Sequence, residues 1–305
     1  MSDDATTGAA PRRTQPAPSP SAQSAPSPHS PSKTGVNALM AEEGWDGGVT
    51  MSPGLASPDS RRPSIPQGGA EINLAGITLI ADCMGALYWP DEGLLVVADL
   101  HLEKGSSFAE RGVLLPPYDT AATLARLARA LLRYAPRAVI ALGDSFHDGE
   151  GPARLADTDR ATLRDLQHGR DWFWIAGNHD PEPVVGLGGT PAATLVIGAL
   201  TFRHQPAPNA RVGDASIETL DDISGEVAGH LHPIARVSGR GRTVSRRCFA
   251  SDGRRLVMPA FGAYAGGLNV RDGAFGGVFG ALKFTAHMLG EGRLYAIAAK
   301  RCLPD

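Results

Sequence analysis

The chain has 305 residues, a formal net charge of −3 and three cysteines. A protein that coats nucleic acid by charge alone is strongly basic, so any contact of this chain with nucleic acid would need a local patch. Three scattered cysteines argue against a disulfide framework or a thiolate zinc site and suit a reducing compartment, so we expect a cytoplasmic protein. No stretch is long and apolar enough to span a bilayer, so we expect no membrane partner.

Residues 1–70 differ from the rest of the chain in composition. They are rich in Pro, Ser and Ala and lack long apolar runs. Such a segment cannot bury enough apolar surface to offset the entropy lost on ordering, so the sequence predicts a disordered tail. No apolar run follows the early charges, and we therefore expect no signal peptide. Residues 71–305 are enough for one sizeable domain.

Predicted strands and helices alternate in the first half of this domain. Three continuous apolar runs, at 94–98, 138–142 and 172–176, indicate strands that are buried on both faces. Helices are predicted from about residue 119 to 134 and from 157 to 168. The alternation predicts a parallel sheet with right-handed crossovers. Ligands of such sheets bind at the carboxyl ends of the strands.

The first of these helices is predicted to be amphipathic. Its apolar stripe is formed by Leu124, Leu127, Leu131 and Leu132. Three arginines at helical spacing, Arg126, Arg129 and Arg133, lie on another face, which we expect to be solvated. The leucine face should therefore pack on the sheet.

The second half of the domain has few helix-like segments. Residues 194–202 and 225–228 indicate strands, and residues 234–260 indicate one or two hairpins. The sequence therefore predicts a second, more antiparallel sheet that packs on the first.

Five short motifs follow one another in a fixed order, mostly where a predicted strand ends. They are Asp99-Leu-His101, Gly143-Asp144, Gly177-Asn178-His179-Asp180, His204 and Gly229-His230-Leu231-His232-Pro233. Each offers a carboxylate, an imidazole or an amide oxygen, which are ligands of divalent metals. A single Asp-x-His or Gly-Asp is more often a turn or a cap. The order and the placement of all five favour one metal centre.

These residue types suit a pair of metals. Side chains alternate along a strand, so Asp99 and His101 should point to the same side and reach one ion together. The carboxylate of Asp144 can bridge two metals, and His232 can be a further ligand of the first metal. The second site can be completed by Asn178, His204 and His230. Two metals would activate a water and clamp the attacking and leaving oxygens of an in-line displacement. Ligands without a thiolate favour Mn, Fe or Zn.

Other residues near the motifs are candidates for catalysis and substrate binding. His179 follows a ligand and could donate a proton to the leaving oxygen. His147 could contact substrate or could equally be a turn residue. Seven arginines between residues 236 and 255 include Arg240 and Arg242. They could contact a nucleic-acid backbone, or they could equally protect the edge of a solvated hairpin.

The five motifs resemble those of the calcineurin-like metallophosphoesterase superfamily. The resemblance implies that residues 71–305 are an α/β catalytic domain, a four-layer α/β/β/α sandwich of two mixed sheets with the metal centre at the strand ends. One metal would be held by Asp99, His101, Asp144 and His232. The other would be held by Asp144, Asn178, His204 and His230. His179 would assist the leaving group.

Three longer stretches resemble the bacterial ligase-associated DNA damage response endonucleases. They are residues 98–105, 143–148 and 258–269. The resemblance covers about residues 72–300 and implies a two-metal phosphodiesterase or DNA endonuclease, linked to repair with an ATP-dependent DNA ligase and a helicase. Manganese is the expected metal, with iron and zinc as alternatives. Two other functions stay open: a small-molecule phosphatase or cyclic nucleotide phosphodiesterase, and a non-catalytic scaffold, although no ligand is missing.

Overall fold

The computed structural model describes residues 48–51, 66–181, 186–208, 225–239 and 241–305. The predicted tail lies outside the described residues, apart from 48–51 and 66–70. Among the described residues, no helix has the length and apolar character needed to cross a membrane.

The first sheet has seven strands whose spatial order follows the sequence. They are β2 (Gly69–Leu74), β3 (Ile77–Asp82), β4 (Leu87–Trp89), β5 (Leu94–Ala98), β6 (Ala138–Leu142), β7 (Asp171–Ile175) and β8 (Thr190–Ala192). Pairing is antiparallel from β2 to β5 and parallel from β5 to β8. The connections between the parallel strands contain α1 (Lys104–Glu110), α2 (Asp119–Tyr134), α3 (Gly151–Arg154) and α4 (Asp157–Gln167).

The second sheet has ten strands and is also mixed. Its main path runs through β1 (Gly48–Met51), β9 (Thr194–Ile197), β10 (Leu200–Arg203), β11 (Gly225–Ala228), β14 (Arg255–Val257), β13 (Arg242–Ser251), β12 (Pro233–Gly239) and β15 (Leu268–Asn269). A hairpin of β16 (Thr285–Gly290) and β17 (Arg293–Ala298) pairs with β13. Helix α5 (Gly273–Phe279) and a short 3-10 helix (Ala299–Arg301) lie in the last part of the chain.

The two sheets pack face to face with helices outside, which confirms the four-layer sandwich. Along β5, the side chain of Val96 lies in the core shared by both sheets, whereas Leu95 and Val97 pack with residues of α2 and α4. Along β13, Phe249 belongs to the shared core and Cys248 packs with residues of α5. The three continuous apolar runs are therefore strands buried on both faces, as their sequence predicts.

Strand β1 is an element that the sequence did not predict, because it lies inside the expected tail. Its backbone pairs in parallel with that of β9. An edge strand presents unpaired N–H and C=O groups, and an extended segment can satisfy them without a hydrophobic pattern of its own. Pairing of this kind leaves little signal in the sequence.

Helix α2 differs from the prediction on both its leucine face and its arginine face. Leu124, Leu127 and Leu131 are buried against the first sheet, but Leu132 is 85% exposed. A residue directly after Leu131 is rotated by about 100° around the helix, so it faces away from the same surface. The solvated arginine face also differs: Arg126 donates to the carbonyl of Phe261.

The leucines of α2 give a matched test of this packing. We expect Leu127→Ala, at a side chain that is 0% exposed, to lower the free energy of unfolding by about 2–5 kcal/mol. Leu132→Ala makes the same chemical change on the same helix, and it should alter stability by less than about 0.5 kcal/mol. Urea unfolding followed by circular dichroism measures both. Equal losses would contradict the assigned face of α2.

Candidate metal centre

The five motifs meet at one edge of the sandwich, because each of them directly follows a strand. Asp99 follows β5, Asp144 follows β6, and Asn178 lies just beyond β7. In the second sheet, His204 follows β10, and the motif with His230 and His232 connects β11 to β12. The strand ends thus bring together residues that are far apart in sequence.

Asp99, His101 and His232 form the first cluster. Their ligand atoms all lie within 4.8 Å of one another. The Nε2 atom of His232 is 3.2 Å from Oδ1 of Asp99 and 3.2 Å from Nε2 of His101. One carboxylate oxygen and two imidazole nitrogens therefore face a common point.

Asp144, His204 and His230 form the second cluster, again with ligand atoms within 4.8 Å of one another. The Nε2 atom of His204 lies 3.4 Å from Oδ1 of Asp144 and 3.2 Å from Nδ1 of His230. The amide oxygen of Asn178 is 2.9 Å from the same Nε2 atom. The structure thus brings together all four residues expected at the second metal.

The two oxygens of Asp144 face different clusters. Oδ1 is 3.4 Å from Nε2 of His204 in the second cluster, and Oδ2 is 3.9 Å from Nε2 of His101 in the first. Each oxygen of Asp144 could therefore serve a different metal.

The ligands reach the centre on left-handed backbone, which corrects the expectation that Asp99 and His101 lie on an extended segment. Among the described residues, eight non-glycine residues have positive φ. Five of them are Asp99 (φ 53°), His101 (φ 41°), Asp144 (φ 44°), His230 (φ 67°) and His232 (φ 45°). Each such residue costs about 1–3 kcal/mol and persists only where the surroundings enforce it. Here the amides of Asp99 and His101 donate to the carbonyls of Gly143 and Asp144.

Two glycines allow the close approach of the ligands. A Cβ atom on Gly143, which has φ 72°, would overlap the ring of His204. A Cβ atom on Gly177 would overlap the backbone nitrogen and Oδ1 of Asp144. The glycine before Asp144 and the glycine before Asn178 are therefore needed because a larger residue would not fit at the centre.

The electrostatics of His101 and Asp144 favour the protonation states that metal ligands need, whereas at His204 burial is outweighed by the hydrogen bond and charge of Asp144, which raise its pKa. Burial, with the charge of His232 adding to it, lowers the pKa of His101 to about 3. Burial opposes ionisation of Asp144, but the hydrogen bond and charge of His204 outweigh it and hold the pKa of this carboxyl well below its usual range. A neutral imidazole and an ionised carboxylate each offer a free lone pair to a metal.

The donor set fits divalent cations. It contains imidazole nitrogens, carboxylate oxygens and one amide oxygen, without a thiolate. Asp99 is 0% exposed and Asp144 is 2% exposed. A buried carboxylate costs several kcal/mol unless other charges compensate it, and a cation between these ligands would supply that compensation.

His179 lies beside the clusters and belongs to neither. Its backbone amide donates to Oδ1 of Asp144 at 2.9 Å, and its Nε2 atom is 3.9 Å from Oδ2 of the same residue. Its Nδ1 atom is 2.9 Å from the carbonyl oxygen of His147. The side chain is 42% exposed. This imidazole is therefore held at the mouth of the centre, where it can meet a substrate.

Asp180 is a site residue to which the sequence analysis assigned no role. It is buried, and its Oδ2 atom accepts a hydrogen bond of 3.0 Å from the amide of Phe146. Burial and the charge of Asp144 raise the pKa of Asp180 to about 7. The residue thus holds the turn that follows Asp144. Its position as the last residue of Gly-Asn-His-Asp was the available signal.

The arginines considered either as a nucleic-acid contact or as protection of a hairpin edge lie in different environments in the structure. Arg240 lies outside the described residues, and Arg242 is exposed where β12 and β13 meet, paired with Gly239. At about 3.3 Å per residue, Arg242 lies roughly 20 Å along the hairpin from His232. Arg247 instead donates to the carbonyl of Ala265. The described arginines of this segment therefore do not form one surface next to the metal clusters.

Comparisons with known proteins found a family model and solved structures with similarity to the chain. Residues 94–238 match the family model of the calcineurin-like phosphoesterases. The crystal structure of the Pseudomonas putida nuclease MPE is similar, with 25% identity, a TM-score of 0.52, and coverage of 75% of this chain and 100% of that chain. A conserved Streptococcus pneumoniae protein, described as a predicted phosphoesterase, shares 17% identity over 57% of this chain and 76% of its own, with a TM-score of 0.26. No curated protein matches the sequence.

The glycine before Asn178 gives a test of the centre in which no ligand residue is substituted. We expect Gly177→Ala to displace Asp144 and to lower the metal content by at least half, measured by inductively coupled plasma mass spectrometry after loading with Mn²⁺. Gly149→Ala is the matched control, because a Cβ atom there meets nothing within 4 Å. Full metal content in Gly177→Ala would show that Asp144 is not needed where the structure places it.

Proposed function

We propose that this metal-dependent phosphoesterase, which contains a calcineurin-like phosphoesterase domain, hydrolyses phosphodiester bonds of DNA. The observation that carries the proposal is that the chain spans the full length of a nuclease of known structure at 25% identity. The family match confirms the superfamily resemblance of the five motifs. The choice of a nucleic acid depends on the nuclease, and the choice of DNA depends on the resemblance of residues 98–105, 143–148 and 258–269.

The residues of the centre would have separate roles in hydrolysis. The first metal would be held by Asp99, His101, Asp144 and His232, and the second by Asp144, Asn178, His204 and His230. When bound, two divalent metals supply an activated water and neutralise the charge that develops on the phosphoryl group.

His179 is proposed to act on the leaving group. With Nδ1 directed at the carbonyl of His147, its Nε2 atom is directed toward the centre, 3.9 Å from Asp144. In its protonated form this nitrogen can donate to the departing oxygen. The 3′ or 5′ hydroxyl of a nucleotide is a poor leaving group, so proton donation is needed most for DNA.

Manganese is the proposed metal, and iron and zinc are the alternatives. The mixture of carboxylate, amide and imidazole donors supports all three and does not distinguish among them. A role in DNA repair with an ATP-dependent DNA ligase and a helicase is proposed from the resemblance of residues 98–105, 143–148 and 258–269. The cytoplasmic location also stays a prediction.

A small-molecule ester is the second candidate substrate. A cavity of about 420 Å³ lies directly beside the centre, and its lining includes Asn178, Arg203 and His204. Pockets of this size hold small ligands. A phosphomonoester or a cyclic nucleotide could place its organic part there while its phosphate meets the clusters.

One set of assays separates these functions. The protein is stripped of metal, reloaded with Mn²⁺, Fe²⁺ or Zn²⁺, and given p-nitrophenyl phosphate, bis-(p-nitrophenyl) phosphate and supercoiled plasmid. The proposal expects plasmid cleavage that requires metal. Hydrolysis confined to the two small esters would favour the second candidate. A folded, metal-loaded protein that hydrolyses none of the three substrates would favour a scaffold and contradict both candidate functions.

The role of His179 gives a sharper prediction. We expect His179→Ala to lower the rate of plasmid cleavage by about 10²–10⁴-fold, with its metal content unchanged. The loss on bis-(p-nitrophenyl) phosphate should be much smaller, because p-nitrophenolate leaves without a proton. The control is His168→Ala, at an exposed residue just after α4. Equal losses on both substrates would argue that His179 acts on metal binding or on the nucleophile.

A further inference from the structure

Three aromatic rings, those of His179, His147 and Phe108, lie one after another outward from the metal centre. The ring of His147 stacks on that of His179, with centroids 5.4 Å apart and planes at 23°. The ring of Phe108, on α1, lies 5.6 Å from the ring of His147 at 37°. Phe108 is half-buried, so part of its surface stays open to solvent. Neither His147 nor Phe108 belongs to a metal cluster.

Two cations lie over the ring of Phe108. Nζ of Lys104 is 5.8 Å and Cζ of Arg111 is 6.0 Å from the ring centroid of Phe108. Lys104, the first residue of α1, also donates to the carbonyl of Tyr264 at 3.2 Å. This hydrogen bond joins α1 to the loop after β14. We call Lys104, Phe108, Arg111 and His147 the aromatic ledge.

Arg154 beneath the ledge holds it in place and pairs with nearby carboxylates. Arg154 donates to Oγ of Ser106 at 3.1 Å and to Oδ1 of Asp148 at 2.6 Å, and it pairs with Glu110 at 3.3 Å. The guanidinium therefore ties α1 to the segment that carries His147. It also pairs with Glu150 at 3.8 Å, and its single positive charge offsets part of the negative charge of these carboxylates.

A nucleotide chain has the two features that such a surface recognises. Ring faces stack on bases regardless of sequence, and cations between them neutralise phosphates. A small ester bound at the clusters would not extend past His147 to Phe108. We propose that the DNA strand next to the scissile phosphate runs along the aromatic ledge, with a base on Phe108 and backbone phosphates near Lys104 and Arg111. This inference rests on the proposed function and gives the substrate a path different from the hairpin tip at Arg242.

The test compares a single-stranded oligonucleotide with bis-(p-nitrophenyl) phosphate in the Mn²⁺-loaded protein. Stacking on an aromatic side chain contributes about 1–3 kcal/mol per base, so Phe108→Ala should lower kcat/KM on the oligonucleotide by about 5- to 100-fold. The loss on the aryl ester should be at least fivefold smaller. Phe108→Trp keeps a stacking face and should retain most oligonucleotide cleavage. Arg111→Ala should make cleavage less sensitive to salt.

A second arginine–aromatic pair supplies the control. Arg293 lies over the ring of Tyr295 at 4.6 Å, on the outer hairpin of β16 and β17. Arg293→Ala and Tyr295→Ala should leave both activities within twofold of the wild type. Normal oligonucleotide cleavage by Phe108→Ala, or equal losses on both substrates, would overturn the ledge while leaving the nuclease function intact. A wild-type protein that hydrolyses only the aryl ester would overturn both.

Discussion

The two sheets meet at one buried carboxylate. Asp99 lies at the end of β5 in the first sheet, and its oxygens accept the amide hydrogen of His230, from the second sheet, at 3.2 and 3.1 Å. His204 and His232, also beyond second-sheet strands, lie 3.6 and 3.2 Å from the same carboxylate. A charge buried this completely needs compensation from every side. The left-handed backbone, the small glycines and the ring of histidines can all be understood as the arrangement that surrounds it.

Much of the fold could be predicted because its central strands are buried on both faces. The runs at β5, β6 and β7 are continuous and apolar, and their ends locate the ligands without knowledge of the tertiary structure. The path of the ligands could not be predicted. Alternation along a strand suggested that Asp99 and His101 point the same way, but the strand ends at Ala98. Hydrogen bonds to Gly143 and Asp144, distant in sequence, then impose a conformation that local propensity disfavours.

Sequence proximity was a poor guide to the substrate surface for a related reason. Arg246 and Arg247 are neighbours in β13, yet Arg246 is exposed and Arg247 turns inward to the carbonyls of Ala260 and Ala265. Side chains of adjacent residues in a strand point to opposite faces, so a dense run of arginines divides between two environments. Conversely, Phe108 and His147 lie 39 positions apart and become neighbours only when α1 packs beside the end of β6.

Neither metal cluster takes its ligands from one half of the chain. The first cluster needs His232 to join Asp99 and His101, and the second needs His204 and His230 to join Asp144. During synthesis, the ribosome releases the whole first sheet before the last of these histidines exists. A nascent or truncated chain that stops before residue 204 lacks His232 from the first set of ligands and both His204 and His230 from the second. Both candidate metal clusters are therefore complete only when the chain extends through residue 232, so a growing chain offers neither full set of ligands before that point.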